Sequence, residues 1–551
     1  MPVASACAPA KPYRQGDAHA DPAPGSPVPA RSKLYNPRHP ERTVLYRAVA
    51  GHLQTWLALS GAGQVDGQGD QQPPVTYVEQ AFRKYLECGI LAHGFARVWC
   101  EDCAHDYLVA FSCKGRAVCP SCNARRMEQT AAHLVDHVFP HLPVRQWVLS
   151  VPKRLRYFMQ RDGAALNSAL RIFLRVIGQC LLRQCPGVAK LDKASVHIGA
   201  VAFIHRFGSS LNTHVHFHIC AIDGVFEALW GDITADPATP PGVAFHPASG
   251  IDAAAVAQVQ AQVRTRILRA FAGRGLIERF EAREMLAFKH SGFSVNAGVR
   301  IQAQDRAGLE RLLRYCARPP FALERLRQRG AELVYHCPKP QSGGKQADLV
   351  LSPLELIERI AALVPPPRTH RHRYYGVLAP NAPLRAVVTA MAQSGPAQVA
   401  VGGQSGTREG GTGEGASGSV LPRNALGGGV VAKVVVQAPA PEPPRRFPAH
   451  YLWAVLIARI YEVFPLVCPR CGGNMRILAF ITEGVQIRRI LEHIGVDAQA
   501  PPIAPARGPP LWDECDAQGA DGAGQGAPID PDWGESAQAA PDDAPDQRTD
   551  W

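Results

Sequence analysis

Three histidines, His214, His216 and His218, alternate with apolar residues within the segment 210–224 and could bind a metal. Side chains on a β-strand alternate between its two faces, so a strand here would present all three imidazoles on one face. Neutral imidazole is the commonest nitrogen ligand of divalent metals, so the pattern predicts a metal site. The opposite face is apolar and is expected to be buried. The plain alternative is a half-buried strand that is rich in histidine.

A second group of candidate ligands consists of two Cys-x-x-Cys pairs in the first quarter of the chain. The pairs, with fifteen residues between them, are Cys100/Cys103 and Cys119/Cys122. This spacing is typical of a module in which four thiolates surround one tetrahedral zinc ion. The sequence therefore predicts one structural zinc on these four cysteines.

Other cysteines could extend the zinc chemistry. Cys88 and Cys113 lie beside or between the two pairs and could help to build a second zinc site, although an ordinary core role explains them equally well. Near the C-terminus, Cys468 and Cys471 form half of a zinc-ribbon pattern, and no partner pair lies near them in the sequence. A complete metal site is therefore not predicted there.

The candidate nucleophile is Tyr315. The segment Asp305–Arg318 has apolar residues at helical spacing, which predicts an amphipathic helix. Arg311, Arg314 and Arg318 cluster away from its apolar stripe, and Tyr315 lies between the stripe and these arginines. Such a phenol could attack a phosphodiester while the arginines hold the phosphate and favour the ionised phenol. The alternative is an ordinary boundary residue of the helix.

The charge of the chain points to a polyanionic partner. The 551 residues have a formal net charge of +12, yet residues 501–551 contain eleven acidic and two basic side chains. The remaining chain therefore carries about +21, which suits nucleic acid. Arg116, Arg125 and Arg126 beside the cysteine pairs are candidate phosphate contacts. A basic but unspecialised surface is the alternative.

The elements that must position these residues indicate an α+β protein with several segments. Residues 144–160 are expected to form a buried strand that runs into a basic turn. The predicted organisation is a loosely ordered leader (1–75), a zinc-binding DNA-recognition module (76–135), a catalytic domain (140–385), a Gly/Pro-rich linker (386–447), a small C-terminal helical module with Cys-x-x-Cys (448–500) and an acidic disordered tail (501–551).

Targeting features give a further expectation. We find no run of 18 or more apolar residues and no secretory signal, so we expect a cytoplasmic protein without a membrane segment. In that compartment cysteines are metal ligands more often than disulfides.

Taken together, the motifs resemble those of rolling-circle insertion-sequence transposases of the IS91 type, in their single-tyrosine branch. In the family's order, the matching stretches are Cys119-Pro-Ser-Cys122, Leu211-Asn-Thr-His-Val-His-Phe-His218, Arg314-Tyr-Cys-Ala-Arg318, Tyr375-Gly-Val-Leu-Ala-Pro380 and Cys468-Pro-Arg-Cys471. The resemblance implies an HUH endonuclease fold, an antiparallel sheet with flanking helices whose central strand carries two metal-binding histidines. It selects His216 and His218, with His214 as an accessory or third ligand.

The resemblance also implies an activity. A metal-dependent single-strand DNA endonuclease and strand transferase would hold Mg²⁺ or Mn²⁺ on the selected histidines and form a 5′-phosphotyrosine on Tyr315. No ATP would be needed, because the covalent link conserves the phosphodiester bond. Its partners would be single-stranded or hairpin-forming DNA at element ends and target DNA in a bacterial nucleoid, and the zinc module would recognise the element's end.

Two positions depart from the family. Arg311 stands where founding members have a second tyrosine, and Asn296 stands near a position where relatives commonly have a histidine. The alternatives are a plasmid replication initiator or relaxase, and a non-catalytic zinc-dependent DNA-binding regulator.

Overall fold

A computed structural model gives the fold of the chain. The structure describes residues 38–63, 76–115, 117–188, 195–229, 242–288, 291–337, 348–392, 434–436, 468, 470–471, 473 and 475–507. Arg116, most of the predicted linker and residues 508–551 of the predicted tail lie outside this part of the chain.

The described residues form a mixture of helices and antiparallel sheets, which confirms the predicted α+β class. The helices are α1 Val44–Gly63, α2 Thr76–Glu87, α3 Pro120–His137, α4 Lys153–Arg161, α5 Gly163–Arg183, α6 Ala253–Gly273, α7 Arg279–Ala287, α8 Arg306–Ala317, α9 Pro353–Ala362, α10 Arg385–Ala390 and α11 Gly484–His493. The strands are β1 Phe95–Cys100, β2 Asp106–Ala110, β3 Val144–Ser150, β4 Val196–His197, β5 Gly199–Phe207, β6 Thr213–Ile222, β7 Gly224–Leu229, β8 Gly242–Pro247, β9 Ser294–Asn296, β10 Arg300–Ile301, β11 Leu326–Arg329, β12 Glu332–His336, β13 Asp348–Leu351, β14 His372–Gly376, β15 Val434–Val436 and β16 Met475–Ile481.

Strand β6, which carries the three alternating histidines, lies at the centre of the main sheet. The strand order is β10-β3-β6-β5-β14, with β9 also paired to β3, and β6 is antiparallel to both its neighbours. Val215, Phe217 and Ile219 on one face are buried with the apolar sides of α5 and α6. The other face carries the histidines and is covered by α3 and α8. The predicted alternation of a histidine face and a buried apolar face is therefore observed.

Residues 448–467 of the predicted C-terminal helical module lie outside the described residues, and the described part from Cys468 onward joins the zinc-binding module. Strand β16 pairs antiparallel with β1, so that Cys100 lies opposite Met475, and β1 pairs in turn with β2. Helix α11 follows this strand. The segment therefore belongs to the sheet of the zinc-binding module. The sequence could not reveal this, because the two paired strands are far apart along the chain.

Parts of the predicted leader, linker and tail also join the folded structure. Helix α1 buries Leu45, Val49 and Leu53 in a core shared with α2 and α9. The amide of Ala504 donates to the Ala50 carbonyl oxygen at 2.9 Å. From within the predicted linker, Val434–Val436 pairs with β8. Residues from the predicted leader, linker and tail therefore contact the folded part of the protein.

One local expectation is wrong. The basic turn after β3 is a helix, α4, whose Leu155 and Met159 are buried.

Helix α5 lies in the main apolar core. Among the described residues, it is the helix that is long and apolar enough to cross a membrane, and 61% of its most apolar stretch is buried inside the protein.

A buried carboxylate fixes the end of β6. Asp223, with a side chain that is 0% exposed, accepts hydrogen bonds from Arg145 at 2.9 and 3.1 Å and from Arg300 at 2.5 Å. The next residue, Gly224, begins β7. A Cβ there would lie 2.3 Å from the His246 carbonyl oxygen, so only glycine permits this close approach of β8. The Asp223 carboxylate thus connects the end of β6 to an arginine of β3 and an arginine of β10.

We expect Asp223→Asn to lower the free energy of unfolding by about 3–5 kcal/mol, because it leaves two arginines facing a neutral group inside the protein. Urea unfolding followed by circular dichroism measures the change. The matched control is Glu332→Gln, which removes the exposed ion pair with Arg329 and should cost at most about 1 kcal/mol. Equal effects of the two substitutions would contradict the assigned role of Asp223.

Candidate functional site

Three imidazoles meet on the histidine face of the main sheet. His216 and His218 lie on β6, and the antiparallel register places His205 of β5 directly opposite His216. One ring nitrogen of each residue lies within 4.8 Å of the others, so the three side chains could hold one metal ion. His205 and His218 are buried, while His216 is partly exposed. The group is thus rigid but accessible from one side.

Main-chain hydrogen bonds determine which nitrogen faces the centre of the group. His205 donates from Nε2 to the carbonyl oxygen of Cys316 at 2.6 Å. His216 donates from Nδ1 to the carbonyl oxygen of His214 at 3.1 Å. Each bond leaves the other nitrogen with its lone pair, which is the arrangement that metal-binding histidines adopt. The buried Nδ1 of His205 has no hydrogen-bond partner in the described structure.

His218 is oriented by a side-chain amide. The Gln146 amide lies 2.9 Å from His218 Nδ1, and the buried Nε2 of His218 has no hydrogen-bond partner in the described structure. The two ends of an amide are assigned from the hydrogen-bond network. The end nearest Nδ1 is the amide nitrogen Nε2, which also donates to Cys316 Sγ at 3.3 Å. Exchanging the two ends would let the amide oxygen accept the Nδ1 proton and leave His218 Nε2 with the lone pair that a metal requires.

The site favours uncharged imidazoles. Burial, together with the neighbouring rings, lowers the pKa of His205 and of His216 well below the usual value for histidine. The rings of His205 and His216 are therefore neutral at physiological pH, which is the form that coordinates a metal.

His214 is not brought into the group. Its Nδ1 accepts a hydrogen bond from Arg156 at 3.1 Å, and its Nε2 lies 3.4 Å from the Ser150 hydroxyl. Arg156 comes from α4, where a turn was predicted. His205 therefore takes the place that His214 was predicted to fill as a third ligand.

Tyr315 lies beside the histidines. Its ring is perpendicular to that of His218, with 5.5 Å between the centroids. The guanidinium carbon of Arg318 lies 4.6 Å from the centre of the tyrosine ring, in a cation–π contact. The residue after Tyr315 supplies the carbonyl oxygen that holds His205. The structure thus brings a phenol, a guanidinium and the histidine group together.

The three arginines of the predicted cluster have different surroundings. Arg314 makes ion pairs with Glu128 of α3 at 2.6 Å and with Glu310 at 2.8 Å, so its charge is balanced within the protein. Arg311 is exposed on the outer side of the helix. Arg318 contacts the tyrosine ring. A helical-wheel projection could not show this, because it ignores the helix that packs against α8.

The basic residues of the zinc-binding module lie on α3. Arg125 is partly buried, and exposed Arg126 donates to the carbonyl oxygen of Lys114 at 3.0 Å. Because Arg314 of α8 pairs with Glu128 of the same helix, α3 joins the cysteine region to the helix that carries Tyr315.

Two other tyrosines, Tyr374 and Tyr375, lie on opposite faces of β14, as adjacent residues of a strand must. Tyr374 pairs with Val201, four residues along β5 from His205. At about 3.3 Å per residue, this is a distance of about 13 Å along the strand. Burial also raises the pKa of Tyr374, which disfavours an ionised phenol.

Eight of the described cysteines form two groups of four. The groups are Cys88, Cys113, Cys119 and Cys122, and Cys100, Cys103, Cys468 and Cys471. Within the first group the Sγ atoms are separated by 3.5 to 3.6 Å. A tetrahedral zinc ion with bonds of about 2.3 Å separates its sulfurs by about 3.8 Å. The predicted set of Cys100, Cys103, Cys119 and Cys122 around one ion is therefore wrong, because the two Cys-x-x-Cys pairs belong to different groups.

The first cysteine group, which we call the inner cluster, favours thiolates that could bind a cation. Hydrogen bonds from the thiols of Cys113 and Cys119 lower the pKa of Cys88 to about 7 and also lower that of Cys122. Although burial opposes the effect, the negative charges of the cluster raise the pKa of Arg38. Thiolates are the form that zinc binds, so the donor set fits structural zinc.

Sequence reasoning missed three residues of the site, His205, Gln146 and Arg156. Gln146 lies on the strand predicted at the start of residues 144–160, and His205 lies on β5. Both join the site through the register with β6, which the sequence did not specify. Arg156 was assigned to a turn. The hydrophobic spacing of Leu155 and Met159 was the signal for a helix there.

We expect His205→Ala to weaken Mn²⁺ binding by about tenfold or more, because it removes one of the converging nitrogens. Isothermal titration of the zinc-loaded full chain measures the change. His214→Ala is the matched control on the neighbouring position and should leave the affinity nearly unchanged. The reverse order of effects would show that His214, not His205, is the third donor.

Two protein families match the chain. Residues 199–385 match the family described as "Putative transposase", and this range contains the three histidines and Tyr315. Residues 66–151 match the transposase zinc-binding domain of the IS91 type, a range that contains the inner cluster. Comparison with curated proteins and with solved structures finds no match. The two family matches support an IS91-type transposase.

Proposed function

We propose that this transposase is a metal-dependent single-strand DNA endonuclease and strand transferase that uses Tyr315 as its nucleophile. The observation that carries the proposal is the contact between Tyr315 and His218, next to two further imidazoles; one ring nitrogen of each of the three histidines lies within 4.8 Å of the others. A phenol beside a cation site is the arrangement needed for attack on a phosphodiester.

The histidine group fits a divalent cation. The buried nitrogens of His205 and His218 that lack partners, and the partly exposed His216, supply three donors on one side of the ion. Bound there, the cation would polarise the scissile phosphate and stabilise the leaving oxygen. Imidazole donors favour Mn²⁺ over Mg²⁺, which prefers oxygen ligands.

In the proposed step, the Tyr315 oxygen forms a bond to phosphorus while the bond from phosphorus to the 3′-oxygen breaks. The phenolic proton is lost and the leaving oxygen gains one, giving a 5′-phosphotyrosine and a free 3′-hydroxyl. A later attack by a 3′-hydroxyl on the phosphotyrosine reverses these changes and joins the strands. The number of phosphodiester bonds is conserved, so no ATP is required.

The surrounding cations would hold the substrate. Arg318 lies over the tyrosine ring and could bind a phosphate oxygen next to it. Helix α4 adds Lys153 and Arg154, which line a cavity of about 430 Å³ together with Tyr157 and Phe158. Basic side chains interleaved with aromatic rings suit a single strand, whose bases stack on the rings. We propose that the strand passes from this cavity over the histidine group.

The zinc-binding module would recognise the end of the element. Its helix α3 presents Arg126 to solvent and packs on α8 through Glu128 and Arg314. Phosphate contacts by such arginines position DNA without reading its bases. A hairpin held by this module would therefore lie close to the helix that carries Tyr315. The family matches favour this role over that of a replication initiator or relaxase.

We expect Tyr315→Phe to abolish the covalent adduct with a single-stranded suicide oligonucleotide in Mn²⁺, because the variant lacks only the attacking oxygen. Denaturing electrophoresis and peptide mass mapping detect the adduct. Tyr374→Phe is the matched control and should retain it. DNA affinity should change little in either variant, since affinity comes mainly from phosphate contacts.

The same assay tests the alternative of a non-catalytic regulator. A regulator would bind the oligonucleotide without cleaving it in any metal. An adduct on the peptide that contains Tyr374 would reject the assignment of Tyr315 while preserving the reaction.

A further inference from the structure

The second cysteine group, which we call the bridging cluster, joins residues from distant parts of the chain. Cys100 Sγ lies 3.5 Å from Cys471 Sγ, and Cys103 Sγ lies 3.5 Å from Cys468 Sγ, although the members of these pairs are 371 and 365 residues apart in sequence. All four sulfurs lie within 4.8 Å of one another. These separations are close to the value of about 3.8 Å between thiolates on one tetrahedral zinc ion.

The turns that carry these cysteines have the geometry of zinc knuckles. The amide of Arg470 donates to Cys468 Sγ and the amide of Gly473 to Cys471 Sγ, each at 3.4 Å. Such N–H···S bonds stabilise a thiolate and orient its lone pairs. A Cβ on Gly473 would lie 1.7 Å from a carboxylate oxygen of Asp102, so the turn that carries Cys471 lies against the side chain next to Cys103.

A hydrophobic role does not explain the bridging cluster. Cys100 and Cys468 are buried, but Cys103 is partly exposed and Cys471 is exposed. The apolar core around them is small, with Val98 and Met475 as its other buried members. A core of this size provides little stability by itself, and small modules of this kind usually depend on a metal or a disulfide. Sulfurs 3.5 Å apart are not bonded as disulfides.

We infer that Cys100, Cys103, Cys468 and Cys471 bind a second structural zinc ion, which fastens the C-terminal segment to the zinc-binding module. The matched zinc-binding family ends at residue 151 and contains neither Cys468 nor Cys471. The ion would act together with the pairing of β16 and β1, and so would close a loop of more than 360 residues that includes the whole histidine site.

Zinc content tests the inference directly. The full chain, purified under reducing conditions, should contain two zinc ions as measured by mass spectrometry of the metal. Cys468→Ser with Cys471→Ser should contain one, and so should Cys88→Ser with Cys113→Ser, which removes the inner cluster. The control Cys185→Ser, at a buried cysteine outside both groups that donates to the His246 carbonyl oxygen, should keep both ions. Two ions in the Cys468/Cys471 variant would overturn the assignment, as would one ion in the unaltered chain.

A second measurement tests whether zinc attaches the C-terminal segment to the zinc-binding module, and it keeps all four cysteines in place. A specific protease site is inserted between Ala440 and Pro441, and the chain is cleaved there after purification. The C-terminal fragment should elute with the rest of the protein until a chelator is added, and should then separate. Separation in the presence of zinc, or retention after both ions have been removed, would contradict the role of the zinc as a fastener.

Discussion

The register of β6 between β3 and β5 is the constraint on which the rest of the structure depends. Because side chains alternate along a strand, a shift of one residue would exchange the histidine face with the face of Val215, Phe217 and Ile219. The burial of those three side chains in the main core makes such a shift costly. At the end of the strand, Asp223 and its two arginines hold β3 and β10 at the same position. The geometry of the histidine group is therefore maintained by apolar packing on the opposite face.

Helix α8 depends on the same sheet for its position. The Cys316 carbonyl oxygen, near the C-terminus of the helix, accepts the Nε2 proton of His205 at 2.6 Å. This hydrogen bond orients the His205 imidazole. It also satisfies the Cys316 carbonyl, which the end of the helix leaves without an intrahelical partner. In addition, it holds the neighbouring Tyr315 beside His218. The ion pair between Arg314 and Glu128 continues this connection to α3 and the inner cluster. DNA recognition and strand cleavage would accordingly share one continuous set of packed elements.

The zinc-binding module is small, and its stability comes from a few side chains and from groups of cysteines. Its sheet of β16, β1 and β2 combines strands from both ends of the described chain. The core around the bridging cluster is small, so the pairing of β16 with β1 gains from further help. A metal that takes two ligands from each part supplies this help, because it binds the folded arrangement and not the unfolded chain.

The sequence by itself determined the classes of chemistry and much of the secondary structure. Alternation identified the histidine strand, and helical spacing identified α8 with Tyr315 on it, because both patterns are local. The tertiary structure alone decided which residues meet. His205 replaced His214 because cross-strand register places it opposite His216, and Arg314 was neutralised because α3 packs against its helix. Cys100 and Cys103 separated from Cys119 and Cys122 because β1 pairs with a strand more than 370 residues away. Such long-range contacts follow from packing of the whole chain, and no local spacing encodes them.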